Sequence, residues 1–299
     1  MRRMINFSRE NVFKMVSEVS FFAAILAALV LFSTAIVYVE PLGGKEYSVL
    51  NLLAGKNTKK VLADESLNVF GIFLDGNIGY MEIFAPIVAS IPYISIVSCE
   101  RMHSNFRFEI FRVGRTTYAF GNLLAAFIVG GFIFCVAYAA YGITLYVIFH
   151  GGLFHEGIIR GGIMREGIIR GGMGSVFMGE NVTLIIKKLM GMFIYGGVSV
   201  IPTVLISAFV RNKYIVLFIP FMLNYFWNMF LSSVTIPFST RYPMVHTIYD
   251  YLFPMKMKDI LFVKSSCLIT GLSIYALLGV VSGTIYDWWL KKGMEKGGI

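Results

Sequence analysis

Charged side chains are scarce in this sequence, and their scarcity excludes an ordinary soluble protein. They make up 14% of the 299 residues, whereas hydrophobic side chains make up 57%. A soluble domain carries about 25% charged residues, which it needs to cover its aqueous surface. The net charge of +9 does not indicate nucleic acid as a partner, because the basic residues stand in short clusters between long apolar runs. That distribution is typical of a protein oriented in a lipid bilayer.

Motifs for catalysis, nucleotide binding and metal binding are absent as well. The sequence contains no GxxxxGK[ST] motif for cradling phosphates, no HExxH motif for zinc and no GxSxG nucleophile motif. Its four histidines are scattered, and its three cysteines show no CxxC spacing. We therefore expect no enzyme activity in this chain, and no cofactor or metal of its own.

Six apolar runs are each long enough to cross the hydrocarbon core of a membrane, which takes about 20 residues. The expected fold is an all-α polytopic membrane protein with a single transmembrane domain over residues 1–299. Glu82 and Asp287 lie within about a turn of a span end, which favours interfacial anchoring over an intramembrane role. The predicted spans lie at 19–39, 79–99, 116–148, 189–210, 214–236 and 265–286.

Basic residues predict the orientation in the cell membrane. Lys and Arg are about twice as dense at the termini, in 100–115 and in 211–213 as in the opposite loops, so both termini are expected in the cytoplasm. Residues 1–18 predict an interfacial helix with Ser8 as its N-cap and its apolar side in the lipid. The outer loop 155–188 repeats the segment EGIIRGG, which indicates either a duplication in a tolerant surface loop or a contact with cargo or a partner.

Segment 100–115, with the sequence ERMHSNFRFEIFRVGR, predicts a short amphipathic helix between the second and third spans. Arginines surround its apolar stripe, and Gly114 permits the chain to turn into the third span. On the cytoplasmic face, such a helix either receives force from a soluble partner or merely connects two spans, and the pattern leaves both interpretations open. The apolar stripe consists of Met102, Phe106, Ile110 and Val113.

This arrangement resembles the membrane subunit of the ABC-2 type transporter family over nearly the whole chain. Glu100 opens the basic loop and Arg115 and Tyr118 follow it, as in the loose family pattern, although Ser104 and Asn105 replace a common Gly-Thr pair. The resemblance implies an exporter permease that forms a homo- or heterodimer and works with a separate cytosolic ATPase, which binds the ATP. The residues that would couple to the ATPase are Glu100, Arg101, Phe106, Arg107, Ile110, Arg112 and Arg115.

Polar side chains share one face of the fifth predicted span. In lipid, such side chains seek a partner helix or a wet cavity. The face therefore predicts either part of a translocation path or ordinary helix packing. Its members are Asn224, Asn228, Ser232 and Thr235.

Two other functions stay open at this point. A secondary carrier driven by an ion gradient should show buried charges and inverted repeats with broken helices, whereas the spans of this sequence show only prolines. A non-transporting membrane scaffold or an immunity protein would need no further motif. A neighbouring gene for a cytosolic ATPase would favour the exporter, and the sequence indicates no particular substrate.

Overall fold

A computed structural model of the chain shows a mostly helical protein. The structure describes residues 2–39, 46–54, 69–75, 79–102, 105–148, 176–210, 212–238, 254–262 and 265–295. The duplicated EGIIRGG segment of the sequence lies outside these described residues.

Within the described ranges, the backbone forms α-helices, a two-stranded antiparallel sheet and a 3-10 helix. Strand β1 (Ile36–Val39) pairs with β2 (Glu46–Ser48), and the 3-10 helix covers Pro254–Phe262. The α-helices are α1 (Arg2–Ser17), α2 (Val19–Phe32), α3 (Val49–Leu53), α4 (Val69–Asp75), α5 (Met81–Met102), α6 (Asn105–Val113), α7 (Arg115–Ile148), α8 (Val176–Phe209), α9 (Lys213–Phe238) and α10 (Ser265–Glu295).

Four helices in the described ranges are long and apolar enough to cross a membrane. Helices α1 and α2 meet at an angle of 69° and add a fifth crossing if the bent pair counts as a single span. These lengths and compositions support the prediction of a multi-pass membrane protein. The four segments are Met81–Glu100, Arg115–Ile148, Val182–Phe209 and Ile269–Lys292.

The first predicted span differs from the structure at its C-terminal end. Helix α2 ends at Phe32, although the uncharged run continues to residue 39. The hydroxyl groups of Ser33 and Thr34 donate hydrogen bonds to carbonyl groups of the last helical turn, and the β-branched residues that follow extend into β1. Hydropathy alone does not distinguish such a strand from a helix, because both bury apolar side chains.

Two other helices extend beyond the predicted spans. Helix α8 begins at Val176, well inside the segment 155–188 that the sequence assigns to an outer loop. Helix α10 continues past residue 286 to Glu295. Both extensions contain residues with good helix propensity, such as lysine and methionine, so the helix continues where the apolar run does not.

Helix α7 lies at the centre of the bundle and packs closely on α8. At their crossing, a Cβ on Gly196 would lie 2.5 Å from the carbonyl oxygen of Gly130, and a Cβ on Gly130 would lie 3.0 Å from that of Gly196. Only glycine allows the two backbones to approach so closely, as is common between membrane helices. Helices α1, α2, α5 and α10 pack around this pair, so a displacement of α7 would reach most of the bundle.

Candidate functional site

Helix α6 forms a separate short element between two long helices, as the amphipathic pattern predicts. It covers Asn105–Val113, and Gly114 then adopts a positive φ of 91°. In the part of the chain that the structure describes, no atom lies within 4 Å of a Cβ built at Gly114, so its requirement for glycine is conformational. The turn aims the chain directly into α7, which begins at Arg115. Helix α6 is therefore coupled by one residue to the central helix of the bundle.

Helix α1 packs against the first turns of α7 through polar side chains. The Ser8 hydroxyl donates a hydrogen bond to the Gly121 carbonyl oxygen at 2.9 Å, and the Asn11 amide donates to the Asn122 side-chain oxygen at 2.7 Å. The prediction of Ser8 as an N-cap is wrong, because Ser8 lies in the middle of α1. Polar residues thus form part of the buried face of α1, where the sequence predicts an apolar face in lipid.

Ion pairs fasten α1 to α6 and to the end of α5. The Lys14 ammonium lies 3.0 Å from the Glu109 carboxylate and 3.5 Å from the Glu100 carboxylate. Arg112 of α6 lies 3.6 Å from Glu10, which is one turn before Lys14 on α1. These contacts join α6 to α1 and α5, and the buried side chain of Ile110 packs the same helix against the core.

The outward side of α6 exposes aromatic rings next to an arginine. Phe108 is 76% exposed and Phe111 is 81% exposed, and the Arg112 side chain is also exposed. Spacings of three and four residues place all three on one face of a helix. We call Phe108, Phe111 and Arg112 the α6 outer face. Exposed phenylalanine and arginine are residue types enriched in protein–protein interfaces.

Several of the residues predicted to couple to an ATPase face the protein interior instead. Ile110 is buried in the core, and Glu100 is largely buried beside Lys14. Arg115 lies 2.7 Å from Asp287 and so ties α7 to α10. Of the predicted set, Arg112 is exposed, while the side chains of Arg101, Phe106 and Arg107 lie outside the described part of the structure.

Sequence reasoning missed Phe108 and Phe111. Both lie off the apolar stripe, on the side of α6 that the pattern assigns to arginines. An apolar ring on the polar side of an amphipathic helix is the signal that could have identified them, because such a ring has no place in the core.

The polar face of the fifth predicted span, on α9, turns partly toward α5. The Asn224 amide donates a hydrogen bond to the backbone carbonyl oxygen of Glu82 at 3.1 Å. The side-chain oxygen of Asn228, one turn further on, is buried without a hydrogen-bond partner among the described residues. The side chains of Ser232 and Thr235 lie outside the described part. The structure thus brings the first two residues of the face toward the bundle.

Further buried polar atoms occur on the neighbouring long helices. The Thr203 hydroxyl of α8 and the Tyr275 hydroxyl of α10 are buried and have no hydrogen-bond partner among the described residues. An unsatisfied buried polar group costs about 1–3 kcal/mol, so such groups are uncommon without a purpose. Together with Asn228 of α9, these atoms place hydrogen-bonding groups without a partner among the described residues on three helices, of which α9 and α10 each pack on α8.

Buried charges lie where the 3-10 helix packs on α8. The Lys188 side chain is fully buried and pairs with the Asp259 carboxylate of the 3-10 helix at 2.5 Å. Lys258 is also buried, and its ammonium lies 3.9 Å from Asp259. Burial lowers the pKa of Lys258, and the nearby Asp259 carboxylate opposes that effect. Sequence reasoning missed this cluster, because it placed Lys188 in an outer loop.

Comparison with known proteins gives no match that would assign a role to these features. No protein-family model, no curated protein and no solved structure matches the chain. Among the described residues, no group of three or more His, Cys, Asp or Glu side chains is arranged to hold a metal ion.

Proposed function

We propose that this chain is the permease subunit of an ATP-driven exporter of the ABC-2 type. In this proposal it crosses the cell membrane six times, has both termini in the cytoplasm, and pairs with a second permease subunit and a separate cytosolic ATPase. The chain contributes neither catalysis nor a cofactor, since the partner binds the ATP. The observation that carries the proposal is the α6 outer face on a helix that is clamped to α1 and joined to α7.

The position of α6 suits the transmission of force. A partner that moves α6 would also move α1 through the Lys14–Glu109 and Arg112–Glu10 contacts. Both helices meet the start of α7, α1 through Ser8 and Asn11 and α6 through the turn at Gly114. Because α7 packs on α8 at close range, a push on α6 would reach the centre of the bundle. A helix that merely connected two spans would need neither clamp nor exposed rings.

The buried polar atoms supply the second part of the proposal, a translocation path between α8, α9 and α10. Thr203, Asn228 and Tyr275 each bring into an apolar bundle a hydrogen-bonding group that has no partner among the described residues. Alternating access would expose these groups to water and substrate in turn. Asn224 holds α9 against the first turn of α5 and would set the width of this path.

The test of coupling uses a candidate cytosolic ATPase recruited from an extract of the cells that produce this chain. The variant Phe108→Ala with Phe111→Ala removes both exposed rings, and reversing the charge of Arg107 and Arg112 together removes the basic component. Truncation of an interface hot spot typically costs ~2 kcal/mol or more, so the ring variant should bind the ATPase at least about 30-fold more weakly. Pull-down from membranes and ATP hydrolysis in liposomes measure the effect.

The matched control is Phe22→Ala with Phe226→Ala, which removes two exposed rings from α2 and α9. This control should recruit the ATPase normally. Equal recruitment by the ring variant and the control would contradict the role of α6. Failure of the unaltered chain to bind that ATPase would contradict the exporter function itself.

A secondary carrier is the other function with an observation in its favour. The structure buries Lys188 and Lys258 next to the partly exposed Asp259, and buried charges are expected of a carrier. Transport in liposomes that depends on an ion gradient and needs no ATPase would favour this alternative. Absence of transport under either condition would leave a membrane scaffold or an immunity protein.

A further inference from the structure

The 3-10 helix Pro254–Phe262 packs tightly against α8 and inserts side chains into the bundle. Met257 and Ile260 are fully buried. At Gly191 of α8, a Cβ would overlap the carbonyl oxygen of Lys258, so the two backbones touch directly. The 3-10 helix is therefore seated in the bundle and does not lie loosely on its surface.

The alignment of α5 with α8 shows that the contact between the 3-10 helix and α8 lies beyond the N-terminal end of α5. A hydrogen bond at 2.9 Å joins the hydroxyl groups of Tyr93 and Ser207, and Glu82 lies within electrostatic range of Tyr195. Helices α5 and α8 therefore run parallel with Tyr195 near the first turn of α5. Lys188 lies seven residues before Tyr195, or ~10 Å further out at 1.5 Å per residue. The 3-10 helix thus covers the end of the bundle where α5 begins, away from α6.

Charges of alternating sign cross this contact from α5 to α8. Glu82 interacts electrostatically with Lys258, Lys258 lies 3.9 Å from Asp259, and Asp259 pairs with Lys188. The phenyl ring of Phe262 also lies 5.9 Å from the Lys188 ammonium. The 3-10 helix thus supplies both signs of charge, and its neighbours supply the complements.

An ion pair with one buried partner suits a contact that must open: the Lys188 side chain is fully buried, whereas the Asp259 side chain is 37% exposed. Replacing such a pair by apolar residues is often neutral or stabilising, so the pair is weak evidence for stability alone. The buried Lys188 ammonium regains hydration when the contact separates, whereas exposing apolar surfaces to water costs free energy without any such compensation. Met257 and Ile260 supply the apolar part of this contact, and the ion pair adds a part in which water can replace the partner.

We propose that the Lys188–Asp259 pair is a releasable latch, and that the 3-10 helix is a cap over the path beneath it. In the closed form the latch holds the cap on α8, above the buried Tyr195 and Tyr275 side chains. When the pair separates, the cap lifts and water reaches these residues. The inference rests on the proposed translocation path but not on the ATPase that would drive it.

The test measures access to a buried cysteine beneath the cap. Ser199 of α8 is buried, and it lies eleven residues after Lys188, or ~16 Å along the helix. The variant Ser199→Cys is made in a chain whose native cysteines are replaced by serine. The labelling rate with a membrane-impermeant thiol reagent is measured in lipid nanodiscs, where both faces are open to solvent. The assay needs neither ATP nor a partner, so it is independent of the exporter function.

Asp259→Asn should raise the labelling rate at least about tenfold by the loss of the latch. The charge exchange Lys188→Asp with Asp259→Lys should return it to within about threefold of the parent. Lys256→Gln is the matched control, because it removes from the same 3-10 helix an exposed lysine that acts on Glu82 and Lys258 but is not a member of the Lys188–Asp259 pair, and it should leave the rate unchanged. Labelling of Asp259→Asn at the parent's rate would overturn the proposal. Labelling of the charge-exchange variant as fast as that of Asp259→Asn would overturn it as well.

A second reporter separates opening of the cap from unfolding. Ser207→Cys lies near the other end of α8 and is buried against Tyr93. Asp259→Asn should leave its labelling rate unchanged. An equal rise at both reporters would mean that the pair holds the whole fold together, which also overturns the latch.

Discussion

Breaking the ion pair between Arg115 and Asp287 should loosen the attachment of α10 to α7. The guanidinium nitrogen lies 2.7 Å from the carboxylate oxygen, and the side chains are 31% and 18% exposed. Exposed pairs contribute ~0.2–1 kcal/mol, and removing one partner of a fully buried pair costs ~3–5 kcal/mol. For this partly screened pair, we expect Arg115→Gln and Asp287→Asn each to lower the free energy of unfolding by about 2 kcal/mol.

A double-mutant cycle tests the pairing itself. The double variant should be less destabilised than the sum of the two single variants, because either single change already removes the interaction. The charge exchange Arg115→Asp with Asp287→Arg should recover part of the loss. Unfolding of the purified protein in mixed micelles of rising SDS fraction provides the free energies.

The same variants decide between two roles for Arg115. If its role is to join α7 to α10, the charge exchange should still recruit the ATPase. Additive single changes, with no recovery on exchange, would refute the ion-pair argument. A charge exchange that restores stability but abolishes recruitment would instead make Arg115 a direct contact of the ATPase.

Three further predictions follow from the spans and the buried charges. An introduced cysteine at position 107 should resist an impermeant thiol reagent in intact cells while one at position 165 reacts, and the reverse pattern would invert the predicted orientation. Asn228→Leu should impair export in cells more than Phe226→Leu, because Asn228 buries a polar atom and Phe226 is exposed; equal export by two normally expressed variants would make the polar face ordinary packing. Burial lowers the pKa of Lys258 from its ordinary 10.5, so the unfolded chain holds the lysine proton to a higher pH than the folded chain does. The contribution of Lys258 to the free energy of unfolding therefore rises as the pH approaches 10.5. Lys258→Met should therefore be more stable than the parent at about pH 8 by a margin that shrinks by about pH 10, and a constant margin would contradict the argument.

The sequence was sufficient to predict the long apolar helices and the turn between α6 and α7. In hydrocarbon, a chain must satisfy its backbone hydrogen bonds internally, and for a single apolar run only the helix does so. Gly114 marked the turn because it adopts a positive φ that other residues rarely adopt. Both features depend on local chemistry, which neighbouring residues encode.

Local sequence patterns predicted the structure less well where the same residues could lie in either of two environments. The run that ends at residue 39 is apolar throughout, yet its last residues form β1 and not the end of a membrane helix. The polar side of α1 reads as a solvated face, yet Ser8 and Asn11 are buried against α7. Periodicity identifies which residues share a face, but it does not identify what that face meets.

Only the tertiary structure decided which charges are paired and which aromatic rings are exposed. Arg115 meets Asp287, 172 residues away along the chain, and Lys188 meets Asp259, 71 residues away. Phe108 and Phe111 are exposed because the inward side of α6 is already occupied by Ile110. In a membrane protein, lipid-facing and helix-facing surfaces are equally apolar, so composition does not record how the helices associate. The pairings arise from the packing of distant segments, and no short stretch of the sequence contains them.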